Sequence, residues 1–290
     1  MSARPVIVTG ASSLVGDFLI PRLLGAGFLV HALSRRPAPA PPLGPGPTWL
    51  RADIAEPLEA ARLPEAGDLF HLAPLWLLPP LVPRLGERGL KRLVAFGSTS
   101  RFTKDASSDP EERALARRLA EAEASLVAAC EKSAIAWTLF RPTLIYDGRR
   151  DQNVSAIARF VRRFGFLPVA GAARGLRQPV HAEDLALACL AALDAPSTRG
   201  RAYDLVGGST LSFAAMAETI FRALGREPRL VHVPLPLLRR LLKAASLLPG
   251  LHHLRAEMAD RMDRDLCFDS SSARRDFGFS PRPFSLPPAR

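Results

Sequence analysis

The sequence predicts an α/β protein built on a doubly wound parallel sheet, with a small α/β lobe at its C-terminal end. Two observations carry that expectation. Short β-branched runs alternate with longer amphipathic stretches through the first half, the pattern of βαβ units on a sheet buried on both faces. After Tyr146 the pattern loosens into helices separated by short strands. The chain has 290 residues, of which 48% are hydrophobic and 23% charged, so it can bury a sizeable core and is neither disordered nor collagenous. Three distant cysteines without CxxC spacing argue against a disulfide framework or a zinc site.

In chain order the predicted strands are Val6 to Thr9, Leu29 to Leu33, Trp49 to Arg51, Asp68 to Leu72, Arg92 to Phe96 and Ile135 to Phe140. Right-handed crossovers then place helices on both faces. The first helix contains Pro21, which removes an i→i−4 bond, so a kink is expected there. Six prolines between Pro37 and Pro47 exclude a helix after the second strand and predict an exposed loop. Asp109-Pro110-Glu111-Glu112 opens the clearest helix, to about Lys132, because Asp accepts N–H bonds at the N-cap, Pro suits N1 and the acids face the positive dipole end. Further helices are expected over Asn153 to Phe164, Glu183 to Leu193, Phe213 to Leu224, Leu235 to Leu248 and Ser270 to Phe277.

The longest charge-free apolar stretch, Leu69 to Pro83, is too short and too rich in proline to span a bilayer. No apolar leader segment precedes the first strand, so the cytoplasm is the expected compartment. A formal net charge of +11 favours anionic partners. Nucleic acid is not among those expected, since the arginines are spread through helices and no RRM, KH or zinc-finger signature is present. His252-His253 lacks acidic or cysteine companions, so no metal is expected. The 235–248 helix is basic and amphipathic, with apolar residues at 238, 241, 242, 245 and 248. It either packs on the core or over a cleft, or touches an anionic membrane surface.

The first strand ends in Thr9-Gly10-Ala11-Ser12-Ser13-Leu14-Val15-Gly16 and passes directly into an apolar helix. A tight turn there aims backbone N–H groups and the positive helix end at a pyrophosphate. Gly10, Ser12, Ser13, Leu14, Val15 and Gly16 are therefore candidate cofactor residues, with Asp53 beyond the second strand supplying the acid such a motif requires. At the end of the second strand Ser34-Arg35-Arg36 replaces the usual ribose-binding acid. Arg35 and Arg36 either fork onto a 2′-phosphate, favouring NADP over NAD, or stand as a solvated pair.

The chain resembles the extended short-chain dehydrogenase/reductase superfamily, the NAD(P)-dependent epimerase/dehydratase group, over nearly all its length. Matching pieces follow in order: the glycine loop, Asp53-Ile54, His71-Leu72-Ala73, Phe96-Gly97-Ser98-Thr99-Ser100, Arg141-Pro142-Thr143-Leu144-Ile145-Tyr146 and Val180-His181-Ala182-Glu183-Asp184. The resemblance implies a Rossmann-like NAD(P)-binding domain over 1–150, and a substrate lobe over 151–290 interleaved with the sheet. It implies an NAD(P) cofactor, NADP on the strength of Arg35 and Arg36 with NAD the alternative, and adds Ile54, Leu72 and Ala73 to the cofactor contacts. Its implied substrate is an anionic nucleotide- or carrier-linked sugar, held by Asn153, Arg177 and His181. Asn153 serves equally as an N-cap, and His181 with Asp184 as a tie between lobes.

The sequence departs from that family at two places. Ser13 stands at the middle glycine, where its hydroxyl either bonds a phosphate or its bulk weakens binding. The Tyr-x-x-x-Lys pair that moves the proton is missing: the lysines at 91, 104, 132 and 243 are preceded four residues earlier by Glu87, Ser100, Ala128 and Arg239. Sliding the family's helix onto Leu115 to Glu123 puts Leu115 at the tyrosine and Leu119 at the lysine. Remaining candidate catalytic groups are the Ser98 and Thr99 hydroxyls, and Tyr146 if Arg150, four residues on, lowers its pKa. The expected function is an atypical oxidoreductase or epimerase/dehydratase, the alternative a catalytically silent NAD(P)H-binding subunit or redox-responsive regulator.

Overall fold

The computed structural model describes residues 4–37, 46–56, 63–245 and 256–287. The first half runs β1 (Arg4–Thr9), α1 (Leu14–Gly25), β2 (Phe28–Ser34), β3 (Thr48–Arg51), β4 (Asp68–His71), α2 (Val82–Glu87), β5 (Arg92–Phe96), α3 (Ser100–Thr103), α4 (Pro110–Lys132) and β6 (Ala136–Pro142). The second half runs β7 (Ile145–Tyr146), α5 (Val154–Phe164), β8 (Leu167–Ala170), β9 (Leu176–Arg177), β10 (Val180–His181), α6 (Ala182–Asp194), β11 (Arg201–Leu205), β12 (Leu211–Ser212), α7 (Phe213–Ala223), β13 (Leu230–Val233), α8 (Leu235–Ala245), α9 (Glu257–Arg261) and α10 (Ser271–Phe277).

Seven strands form one parallel sheet in the order β11-β6-β5-β4-β1-β2-β3. Alternation along β1 shows why the sheet is doubly covered. Val6 and Val8 join the layer packed by Leu19 of α1 and Leu185 of α6, whereas Ile7 joins the layer of Leu85 of α2 and Leu126 of α4. The strand order reverses between β1 and β4, and open α/β sheets bind ligands in the crevice outside the strand C-termini at that switch point. All six expected strands are present, and β11 adds a seventh from the second half of the chain.

Asp109 caps α4 as its sequence requires, its carboxylate accepting the Glu111 N–H at 2.8 Å. Pro21 sits inside α1 without ending it. The carbonyl it leaves without a donor belongs to Asp17, which is exposed in the first turn. On α8, Leu238 is buried against Ala170 and Ala259 with Leu242 beside it, while Leu235, Leu237 and Leu241 are exposed, so the helix packs on the core by one face. The proline loop over 38–45, the end of the 235–248 stretch and His252-His253 lie outside the described residues. Among the described residues no helix is long and apolar enough to cross a membrane, and no three metal-ligating side chains converge.

Candidate functional site: a cleft with two unlike ends

Gly10 and Gly16 let the loop after β1 close tightly on its neighbours. Gly10 has φ of +66°, and a Cβ there would lie 2.6 Å from the Ala73 nitrogen and 2.7 Å from the Leu72 carbonyl carbon. A Cβ on Gly16 would collide with the Ala11 carbonyl. Leu72 and Ala73 thus brace the phosphate loop by their backbone. Ser13 is the N-cap of α1, its hydroxyl accepting the Gly16 N–H at 3.1 Å. That leaves the first-turn N–H groups of Leu14 and Val15 to face a pyrophosphate. Ser12 shares a 2.9 Å hydrogen bond with Ser34, tying the loop to the end of β2.

Arg150 is not where the sequence places it. Its guanidinium reaches back to the phosphate loop, donating to the carbonyls of Ser12 and Ser13 at 3.4 and 3.3 Å and pairing with Asp17. The charge expected beside Tyr146 therefore lies at the start of α1. Sequence spacing gave no signal for this, because Asp17 is more than a hundred residues away.

Over β2 and β3, the Arg35 side chain is 78% exposed, with its Nη1 4.0 Å from the Asp53 carboxylate. Asp53 accepts the Ala55 N–H at 3.0 Å, Ile54 packs on the core below, and Arg36 is exposed while its carbonyl accepts from Trp49 Nε1 at 3.1 Å. Arg35 thus presents its guanidinium to solvent beside Asp53, at the ends of β2 and β3. The loop glycines, the open N–H groups and this arginine together fit the adenosine and pyrophosphate portion of a dinucleotide.

From Ser13, Leu14 and Val15 of the phosphate loop a cleft of about 420 Å³ runs past Leu72 and Ala73 to the ends of β5 and β6. Leu75, Trp76, Phe96 and Ile145 form much of its wall, and Leu115 and Leu119 face into it from α4. The two positions aligned with the missing acid/base pair are therefore at the cleft, and both are leucine. Ser98 also lines it, its hydroxyl accepting the Ser100 N–H at 3.1 Å. Thr99 does not: it is buried, donating to the Pro142 carbonyl at 3.1 Å.

Tyr146 is also turned away from catalysis. It is 1% exposed, wedged edge-on against His181 and Phe284 at 5.1 and 4.9 Å between ring centroids, and its hydroxyl accepts the Ser285 N–H at 3.5 Å. Burial raises its pKa, the reverse of what a base needs. His71 between the two ends is fully buried and neutral: Nε2–H donates to the Pro74 carbonyl at 3.2 Å, and Nδ1 accepts from Thr9 at 2.8 Å. Burial drives its pKa down to about 4.

The substrate-side residues hold the lobe together. Arg177 is 5% exposed, and its guanidinium donates to the Leu176 and Arg264 carbonyls, each at 2.7 Å, and to the Arg261 carbonyl. Burial, then Arg261, lowers its pKa to about 10. With its donors engaged by backbone, Arg177 is not presented to a phosphate, which corrects the ligand role implied by the motif. His181 caps α6 by accepting the Glu183 N–H at 3.2 Å, and Asp184 accepts from Arg282 at 2.8 and 2.9 Å, anchoring the C-terminal segment. Asn153 stands at the N-cap of α5 but makes no capping bond with its exposed side chain. Asp151 takes that role, accepting the N–H groups of Asn153 and Ser155 at 3.0 Å.

No family model matches the chain. A stretch of 133 residues is 33% identical to NADH dehydrogenase (ubiquinone) 1 alpha subcomplex subunit 9, mitochondrial, of Arabidopsis thaliana, spanning 46% of this chain and 32% of that protein. Among solved structures, UDP-glucuronic acid 4-epimerase from Bacillus cereus in complex with NAD superposes with a TM-score of 0.72 at 15% identity, covering 96% of this chain and 91% of that one. UDP-glucose 4-epimerase from Thermotoga maritima, with UDP-glucose, gives 0.68 at 14% identity over 96% and 93%. MoeE5, with UDP-glucuronic acid and NAD, gives 0.71 at 21% identity over 97% and 94%. The chain shares the α/β fold of these solved epimerases, the fold class that its sequence predicts.

Proposed function

We propose that this chain binds a nicotinamide dinucleotide, NADP(H) ahead of NAD(H), and holds it without the tyrosine–lysine proton transfer of the short-chain dehydrogenases. It acts as a cofactor-holding subunit or a redox-responsive regulator. The observation that carries this reading is the placement of Leu115 and Leu119 in the cleft wall. A buried tyrosine with a raised pKa does not replace the pair, and loss of general acid/base help typically lowers a rate by about 10²–10⁴. The solved neighbours that hold NAD support a nicotinamide cofactor, and exposed Arg35 in place of an acid supports the 2′-phosphate.

A second reading, an oxidoreductase or epimerase acting on a nucleotide- or carrier-linked sugar, is favoured by Ser98 in the cleft wall, where a hydroxyl can polarise a carbonyl. Neighbours solved with UDP-sugars lend it further support. Titration with NADPH and NADH at fixed salt, followed by quenching of tryptophan fluorescence, tests the first reading. NADPH is expected to bind more tightly than NADH, and Arg35→Ala to weaken NADPH by about tenfold while leaving NADH unchanged. Binding of neither cofactor contradicts the proposal. Steady NADPH oxidation with a UDP-sugar intermediate would favour the second reading.

A further inference from the structure

The nicotinamide ring is a cation when oxidised and neutral when reduced, so the wall it rests against sets which form is held. No side chain lining this cleft among the described residues is ionisable at neutral pH. The charges directly behind the wall do not favour a cation either. Glu123 lies beneath Gly97, where a Cβ would come within 3.1 Å of its Oε1, but it is paired with both Arg101 and Arg141. Arg141 also faces Asp204 at 3.7 Å, and the Arg118 guanidinium lies 4.0 Å from the centre of the Trp76 ring. Three guanidinium groups thus stand against two carboxylates, and neither carboxylate is left to compensate a cationic ring.

An apolar wall strips water from a cation without returning a counter-charge, whereas a neutral dihydronicotinamide loses little on entering it. A Tyr-x-x-x-Lys pair would have offered a phenolic oxygen and an ammonium group. Leu115 and Leu119 offer only methyl groups. We infer that this cleft discriminates its cofactor by oxidation state, holding NADPH and disfavouring NADP⁺. The inference rests on the dinucleotide-binding reading above and specifies what that site responds to: the ratio of reduced to oxidised cofactor.

The test is calorimetric titration of the full chain with three probes: NADPH, NADP⁺ and 2′-phospho-ADP-ribose, which lacks the nicotinamide. NADPH is expected to bind about tenfold or more tightly than NADP⁺. Leu115 is half-buried on α4, so Leu115→Glu can place a carboxylate at the cleft with the helix intact. That variant is expected to bring the two affinities to within about threefold, with Leu115→Gln keeping the wild-type ratio. Equal affinity for the two oxidation states in the wild type, or a ratio that Leu115→Glu leaves unchanged, overturns the inference while the dinucleotide site stands. Failure of all three probes to bind removes the dinucleotide reading, and the inference with it.

Discussion

The two ends of the cleft are built on adjoining strands of one sheet, yet they differ in kind. Over β1, β2 and β3 lie the features that the proposed dinucleotide site would use for adenosine and phosphates: a loop closed by Gly10 and Gly16, the first-turn N–H groups of Leu14 and Val15, and an exposed Arg35. Over β4, β5 and β6 the wall is largely apolar, with Leu115 and Leu119 lining it and Tyr146 buried. The two ends meet in one cleft, whose lining runs from Ser13, Leu14 and Val15 to Leu115 and Leu119. Ser13 belongs to the loop end: a hydroxyl at the middle glycine is accommodated by capping its own helix.

The contrast is broken most severely at Gly10. Gly10→Val puts a β-branched side chain at positive φ and against the backbone of Leu72 and Ala73. It is expected to destabilise the protein by about 4 kcal/mol or more and to abolish NADPH binding. Denaturant unfolding and titration check both, and a folded variant that binds NADPH normally would contradict the role given to the loop.

The next effect is one of pH, at the residue between the two ends. His71 has a folded pKa of about 4 against an ordinary 6.5, so as pH falls the unfolded chain takes up the proton first. The stability tied to its neutral form is intact above about pH 6.5 and is lost on descending towards pH 4, about 3 kcal/mol in all. Unfolding free energies at pH 7, 5.5 and 4 should fall more steeply for the wild type than for His71→Gln. Parallel slopes would mean that the imidazole titrates freely.

The smallest effect sharpens the contrast from the reaction side. The Tyr146 hydroxyl has one long hydrogen bond, to the Ser285 N–H at 3.5 Å, so Tyr146→Phe is expected to cost less than about 1 kcal/mol and to leave NADPH affinity unchanged. A marked loss of NADPH affinity in that variant, measured by the same titration, would return Tyr146 to the site.

The fold was legible where residues act on near neighbours. Alternation marked the six strands, and Asp109-Pro110 marked the start of α4, because pleat and capping are set within a few residues. β11 escaped because Arg201–Leu205 carries Arg and Asp within five residues and borrows its place in the sheet from β6. In the site, Leu115 and Leu119, aligned with the family's tyrosine and lysine by resemblance, line the cleft. The partners of Arg150 and Arg177 were not legible, since Asp17 and the Arg261 and Arg264 carbonyls lie more than eighty residues away in sequence. A basic residue's spacing carries no record of such partners.

The proposed site requires the nicotinamide to lie against Leu115 and Leu119, and proximity between them can be measured directly. With NADPH saturating a leucine-methyl-labelled protein, nuclear Overhauser contacts are predicted between the dihydronicotinamide protons and the methyl groups of Leu115 and Leu119, assigned by single substitution of each. NADPH that binds and shows contacts to neither leucine would contradict the account, because the ring would then lie outside the apolar end of the cleft.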